Sequence, residues 1–116
     1  MSEEKVAIDL SPEFQKNLRD LAKRYRHIRS DLQEMIDELR IGNFVGDRIP
    51  NIGSGYRVLK VRLQNRDIQK GKSAGYRLIY QVESPKSVLL LTIYSKSDKE
   101  DIDPDDIRKM LKEIYE

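Results

Sequence analysis

The sequence has no cysteine and a single histidine, His27. The missing cysteines exclude disulfides, thiolate catalysis and cysteine-ligated zinc. One imidazole without a second histidine is a poor metal site, so we predict no metal and no other cofactor. No apolar run approaches the roughly 20 residues that are needed to cross a bilayer.

The N-terminus, MSEEKVAIDL, begins with acids and lacks the long apolar segment of a secretory signal. We therefore expect a soluble, cytoplasmic protein. A length of 116 residues suits one domain, which would span residues 1–116.

Charge is abundant but unevenly distributed along the chain. Charged residues make up 36% of the sequence, and the formal net charge is only +2. The stretch 56–77 carries seven bases and one acid, whereas the stretch from Ser97 onward carries eight acids and four bases. A local basic field attracts an anionic ligand even when the net charge is small, although a charged stretch can also be a solvated surface.

Three helices are predicted from caps and apolar spacing. Ser11-Pro12-Glu13 begins the first, because serine caps, proline fits the first helical position and an acid favours the positive end of the dipole. A second helix starts near Ser30-Asp31 and stops at Gly42. Asp103-Pro104 begins the last helix. Because few residues separate the first two helices, we expect them to form an antiparallel hairpin.

Four strands are predicted from apolar alternation and apolar runs, at residues 5–10, 56–63, 75–82 and 87–96. The glycine- and proline-containing stretch 43–55 is expected to be a loop. The predicted fold is therefore α+β with the order β-α-α-β-β-β-α. In it, the helical hairpin packs on a small antiparallel sheet, and the C-terminal helix lies at the sheet edge or on its other face.

Five polar side chains can converge on one face of this sheet. Lys60 and Arg62 alternate with aliphatic residues and so share a face, which is either a solvated surface or an anion site. Arg77 lies in an apolar strand, where it must reach solvent, pair with an acid or face a ligand. Tyr94 and Lys96 end the last strand, although a single strand tyrosine is commonly structural. The KGKSAG loop lacks the spacing of a nucleotide-binding P-loop.

The motifs SAGYRLIYQV and TIYSKSDKED, followed by a short terminal helix, resemble the RelE/ParE superfamily of bacterial toxins from type II toxin–antitoxin systems. The resemblance is nearest to the RelE and HigB branches. It implies a ribosome-dependent endoribonuclease that cuts mRNA in the A site. The arginine of the GYR motif, which contacts the scissile region in that family, corresponds to Arg77. The paired sheet cations correspond to Lys60 and Arg62, and the end of the last strand corresponds to Tyr94 and Lys96.

The resemblance also implies partners and further RNA contacts. A cognate antitoxin would place acids against the basic face, and the complex would bind operator DNA through the antitoxin. The remaining bases of the basic stretch are predicted to bind RNA: Arg57, Arg66, Lys70 and Lys72. Some relatives have a histidine near the end of the last strand, which this chain lacks. Others use a tyrosine of the terminal helix region, where this chain has Tyr115.

The predicted mechanism needs no metal. Arg77 and Arg62 would stabilise the pentavalent phosphorane, Lys60 would ease loss of the 2′-hydroxyl proton, and Tyr94, or failing that Lys96, would protonate the leaving oxygen. Two alternatives remain open. One is a ParE-like protein that inhibits DNA gyrase by binding it, and the other is a degenerate member that only binds its antitoxin.

Overall fold

The computed structural model describes residues 5–68 and 74–115. Its three helices and five strands follow the order β1-α1-α2-β2-β3-β4-β5-α3. Their bounds are β1 Ala7–Leu10, α1 Pro12–Arg24, α2 Ile28–Arg40, β2 Asp47–Arg48, β3 Val58–Leu63, β4 Tyr76–Ser84, β5 Ser87–Ser95 and α3 Pro104–Tyr115. The predicted α+β class is confirmed. In the part of the chain that the structure describes, no helix is long and apolar enough to cross a membrane.

The start of α1 follows the predicted cap and is tied to the sheet. Ser11 accepts a hydrogen bond from the backbone N–H of Phe14 at 3.0 Å, and Pro12 occupies the first turn. The Ser11 hydroxyl also donates to the carbonyl oxygen of Leu91 on β5 at 2.7 Å. One side chain therefore satisfies a helix-end donor and fixes the helix against the sheet.

The sheet has the strand order β1-β5-β4-β3-β2. The strands β3, β4 and β5 pair antiparallel as predicted, but β1 pairs parallel with β5, so the sheet is mixed. The sequence predicted a small antiparallel sheet but no direction for the first strand, because alternation indicates a strand without indicating its direction. The predicted loop 43–55 also contributes the two-residue strand β2, which pairs with β3.

The two faces of the sheet carry separate apolar cores. The first core joins α1 and α2 to side chains such as Leu78 and Leu90. The second core joins α3 to the opposite face, through side chains such as Ile79 and Leu91. Of the two predicted positions for the last helix, the structure has the one on the other face. We call the two surfaces the hairpin face and the α3 face.

Candidate functional site

Arg62, Arg77 and Tyr94 form a row across three adjacent strands. The register pairs Arg62 on β3 with Arg77 on β4, and Arg77 with Tyr94 on β5. Paired residues share a sheet face, and neighbouring strands lie about 4.8 Å apart. The row belongs to the α3 face, because Ile79, two residues after Arg77, lies in that core. Lys60 shares the same face, next to Arg62 along β3.

A glycine allows the strands to approach closely at this end of the sheet. A Cβ atom at Gly75 would lie 1.9 Å from the carbonyl oxygen of Leu63, so no side chain fits there. The carbonyl oxygen of Gly75 also accepts a hydrogen bond from the backbone N–H of Lys96 at 3.0 Å. The glycine of the GYR motif therefore places the first residues of β4 tightly between β3 and the end of β5.

Arg77 is a nearly buried cation beside a second cation. Only 4% of the residue is exposed, and its Nη1 donates to the carbonyl oxygen of Tyr76 at 3.1 Å. Burial, followed by the charge of Arg62, lowers the pKa of Arg77 from its ordinary value. Because Arg62 and Arg77 are paired across β3 and β4 and their charges repel, an anion bound near both would relieve this repulsion.

Asp101 is a site residue that the sequence reasoning did not select. Its Oδ1 atom accepts hydrogen bonds from Lys60 Nζ at 3.1 Å and from the Tyr94 hydroxyl at 3.3 Å. The same oxygen accepts from the backbone N–H of Ile102 at 2.9 Å. A single carboxylate oxygen thus connects β3 with the end of β5. In the sequence Asp101 is one of many acids after Ser97, and no spacing rule distinguishes it from its neighbours.

Tyr94 is a protonated hydroxyl at neutral pH. Burial, and then the charge of Asp101, raise the pKa of Tyr94 to about 12. The Nζ atom of Lys99 lies 5.6 Å from the centre of its ring, which places a cation over the aromatic face. In this state Tyr94 is suited to donate a proton rather than to act as a base.

The carboxyl group of Asp101 is a weak base. Burial acts to raise its pKa, but the hydrogen bonds from the Ile102 N–H and from Lys60 outweigh burial, so the pKa lies below its ordinary value. Lys60 donates a hydrogen bond to this carboxylate, so its side chain is directed toward Asp101.

Lys96 lies one residue beyond the end of β5 and is partly buried. Its backbone N–H continues the pairing with Gly75, so the residue stays close to the row formed by Arg62, Arg77 and Tyr94. A role for its ammonium group in the site stays a prediction.

Of the predicted RNA-binding residues the structure describes Arg57 and Arg66, and of these two Arg66 lies nearer the row, because it lines one cavity together with Arg62. Arg57 precedes β3 at the opposite end of that strand and, by alternation, belongs to the hairpin face. Arg66 is bound to α2: its Nε atom lies 3.0 Å from Asp31 Oδ1 and its Nη2 lies 2.6 Å from Glu34 Oε1. Lys70 and Lys72 lie outside the described residues. RNA binding by these four residues stays a prediction.

The one histidine has a structural neighbour. His27 Nδ1 lies 2.8 Å from Asp67 Oδ1, and the His27 backbone N–H donates to Asp67 Oδ2 at 3.0 Å. These contacts connect the start of α2 to the segment after β3. Within residues 5–68 and 74–115, no three His, Asp or Glu side chains are grouped so that they could hold a metal ion.

The fold and the site define a small α+β protein whose sheet presents a row of cations beside a tyrosine hydroxyl. A family model described as the ParE toxin of the type II toxin–antitoxin system, parDE, matches residues 8–100. The chain therefore belongs to the ParE toxin family, within the RelE/ParE superfamily, and is the toxin of a type II toxin–antitoxin system. This confirms the superfamily predicted from the GYR and YSK motifs. The nearer likeness to the RelE and HigB branches stays a prediction.

A solved structure supports the same fold. The chain is similar to a copper-bound mutant toxin from Helicobacter pylori, with a TM-score of 0.56 and 19% sequence identity. The match covers 81% of this chain and 98% of the Helicobacter chain. At this identity the likeness concerns the fold alone. No curated protein matches the sequence.

Proposed function

We propose that this toxin is an endoribonuclease that cuts mRNA on the ribosome and thereby inhibits translation, without using a metal. The row of Arg62, Arg77 and Tyr94, with Lys60 beside it, is the observation that carries the proposal. Three cations and one neutral proton donor on one sheet face match the needs of phosphodiester cleavage better than those of a purely structural surface.

In the proposed reaction, the ribose 2′-oxygen attacks the adjacent phosphorus and the bond from phosphorus to the 5′-oxygen breaks. The products are a 2′,3′-cyclic phosphate and a free 5′-hydroxyl end. Arg62 and Arg77 bind the non-bridging oxygens, whose negative charge grows in the phosphorane. Because Arg77 is already desolvated and fixed between two strands, little reorganisation is needed as that charge develops.

Lys60 and Tyr94 complete the proposed proton and charge transfers. The Tyr94 hydroxyl gives up its hydrogen bond to Asp101 as its proton moves to the departing 5′-oxygen. Its raised pKa keeps the hydroxyl protonated at neutral pH, and therefore available for this transfer. The ammonium group of Lys60 stabilises the developing alkoxide at the 2′-position. Lys96 is the second candidate for protonating the leaving oxygen.

These residues do not supply a base that could accept the 2′-hydroxyl proton. Lys60 donates a hydrogen bond to Asp101, Tyr94 is protonated and Asp101 is a carboxylate of lowered pKa. We therefore propose that the ribosome orients the mRNA for in-line attack and that water, or a ribosomal group, accepts the proton. Alignment of this kind can lower a barrier by several kcal/mol, on the order of 7 in well-oriented systems.

A second candidate function is inhibition of DNA gyrase by binding. The observation in its favour is the family match itself, since the matching model is described as a ParE toxin. In that case the basic row would be a contact surface for a macromolecule and would have no chemistry of its own.

The test compares naked mRNA, mRNA on translating ribosomes and a gyrase supercoiling assay with one protein preparation. We expect cuts with 5′-hydroxyl ends only when ribosomes are present, and no effect on supercoiling. Efficient cutting of naked RNA would contradict ribosome dependence. Absence of cuts in both RNA samples, together with inhibited supercoiling, would assign the toxin to gyrase.

The antitoxin of the system is the expected regulator of this site. A type II toxin has a cognate antitoxin, and we propose that acids of this partner cover the α3 face around Arg62. We further propose that the complex reaches operator DNA through the antitoxin.

A further inference from the structure

The segment between β5 and α3 contacts Tyr94 from two sides. Lys99 lies over the tyrosine ring, and the Asp101 carboxylate accepts from its hydroxyl. The same carboxylate oxygen accepts from Lys60, which comes from two strands away. Asp101 lies just beyond residues 8–100, so the family match does not include it.

We propose that Asp101 is a positioning residue that holds the Tyr94 hydroxyl and the Lys60 ammonium group at one point beside the Arg62–Arg77 pair. The inference rests on the proposed ribonuclease function and adds a residue to it. Asp101 acts through Tyr94 and Lys60 and need not touch the RNA.

Stability alone does not account for this contact. The Asp101 side chain is 63% exposed, and ion pairs at such positions contribute only about 0–1 kcal/mol. The contact instead fixes the positions of two donors, since Lys60 Nζ and the Tyr94 hydroxyl both bind the Asp101 Oδ1 atom, at 3.1 and 3.3 Å. The carboxylate thereby brings an acid and a cation from β5 and β3 to the same place.

The segment that carries Asp101 is itself held in place. Arg24 on α1 forms two hydrogen bonds with the Asp98 carboxylate, at 2.5 and 3.0 Å. The Asp101 oxygen is fixed by the N–H of Ile102, a residue that is buried in the α3 core. Because the segment is held at Asp98 and the Asp101 oxygen is held by a backbone N–H, this carboxylate can impose a direction on a hydroxyl, as a supporting residue in a site must.

The Asp101 carboxylate should support the chemical step but weaken the binding of RNA. Asp101 cancels part of the positive charge that attracts RNA phosphate, so its removal should leave RNA binding unchanged or make it tighter. Its removal should at the same time leave Tyr94 and Lys60 misplaced, and we expect this loss of geometry to slow the chemical step by more than the lowered pKa of Tyr94 speeds it. A fall in kcat without a rise in KM therefore distinguishes positioning from a general loss of structure.

The experiment measures ribosome-dependent mRNA cleavage by the wild type, Asp101→Ala and Asp101→Asn. Glu100→Ala is the matched control, since it removes the neighbouring exposed acid and the same charge. We expect Asp101→Ala to lower kcat by about 10- to 100-fold, in line with the cost of misplacing a catalytic group, with KM unchanged or lower. Asp101→Asn keeps an oxygen that accepts from both donors and should recover most of the kcat. Glu100→Ala should resemble the wild type.

A second measurement does not depend on activity. NMR titration of the six tyrosines, with the signal of Tyr94 assigned through Tyr94→Phe, follows the hydroxyl directly. The charged groups around Tyr94 are Lys60, Arg77, Lys99, Asp101, Asp20, Arg24 and Asp98. Only Asp101 differs between the samples, and loss of its charge in Asp101→Ala should lower the pKa of Tyr94.

The outcomes separate the inference from the proposed function. A wild-type toxin that cuts no mRNA contradicts the ribonuclease, whatever the tyrosine titration shows. If the wild type cuts RNA and folded Asp101→Ala has an equal or higher kcat, or leaves the Tyr94 titration unchanged, the positioning role is wrong while the ribonuclease stands. Thermal unfolding of each variant confirms that the compared samples are folded.

Discussion

The two faces of the sheet are packed in different ways. The hairpin face is covered by α1 and α2 and presents fully buried side chains such as Tyr76, Leu78 and Leu90. The α3 face is covered by one helix. Its side chains are buried and apolar in one part, such as Ile79, and charged in another, where Arg62 is exposed and Lys60 is partly exposed. Neighbouring residues on one strand thus belong to different environments, since Arg77 and Leu78 point to opposite faces.

The difference shows where this fold has room for chemistry. The Tyr115 hydroxyl, at the end of α3, donates to Glu83 Oε2 at 2.6 Å and to Gln81 Oε1 at 3.0 Å. Those contacts tie the end of α3 to the far end of β4, away from Arg77. The hairpin face is closed by two helices, and the opposite end of the α3 face carries the cations for which we propose binding of an anion.

The largest expected effect is on Arg77. We expect Arg77→Ala to lower mRNA cleavage by about 10³-fold and to abolish toxicity, because it removes a preorganised donor to the phosphorane. Growth after induction and cleavage on ribosomes measure the effect, and circular dichroism checks the fold. A folded and fully toxic variant would remove Arg77 from the mechanism.

The matched control for that experiment is Leu78→Ala, one residue along the same strand. Leu78 is fully buried on the hairpin face, so its truncation should cost about 3 kcal/mol of unfolding free energy through lost burial and a cavity. Arg77→Ala should cost less in the same denaturant titration, because removing this cation also relieves its lost solvation and the repulsion from Arg62. Similar stability losses for both variants would contradict the idea that the hairpin face contributes more to stability than the residues around Arg77.

Arg66 offers the next test, because the sequence predicts that it binds RNA, whereas the structure shows it paired with Asp31. It pairs with Asp31, whose side chain is 2% exposed. Arg66→Ala should leave that carboxylate buried without its cation and cost about 2 kcal/mol, less than a fully buried pair because Arg66 itself is half exposed. Denaturant unfolding measures the loss. An unchanged stability with weaker RNA binding would instead support the predicted RNA contact.

A smaller effect is expected for the two cations of β3. Lys60→Ala and Arg62→Ala should each weaken ribosome or RNA binding, by about tenfold together at low salt, since each phosphate contact releases counterions. A salt series should show a shallower slope for the double variant. Equal binding by wild type and double variant across the series would indicate a solvated surface.

The smallest expected effect is on stability in alkali. The pKa of Tyr94 is about 12 in the folded protein and about 10 in an unfolded chain. Because the folded value is the higher one, Tyr94 contributes stability that is fully present below pH 10 and is lost as the pH rises through about 12. Unfolding between pH 8 and 12 should therefore depend less on pH in Tyr94→Phe. An identical pH dependence in both proteins would contradict the buried hydroxyl.

Much of the fold could be predicted from local patterns. The cap at Ser11, the stop at Gly42 and the alternation around Lys60 each indicate an element within a few residues of its observed bounds. The GYR motif and the YSK motif at the end of β5 indicate the superfamily from their residues alone. Alternation also assigns Lys60 and Arg62 correctly to one face, because a strand has a period of two residues.

The neighbours of each site residue could not be predicted in the same way. The sequence by itself determined the three helices, the strands other than β2, their order and the faces of single strands, since these depend on short-range backbone geometry. Only the tertiary structure decided that β1 runs parallel to β5, that Arg62, Arg77 and Tyr94 align, and that Arg66 turns to Asp31. It also placed Asp101 between Lys60 and Tyr94. Register and loop contacts of this kind depend on how two cores pack around one sheet, which no local pattern encodes.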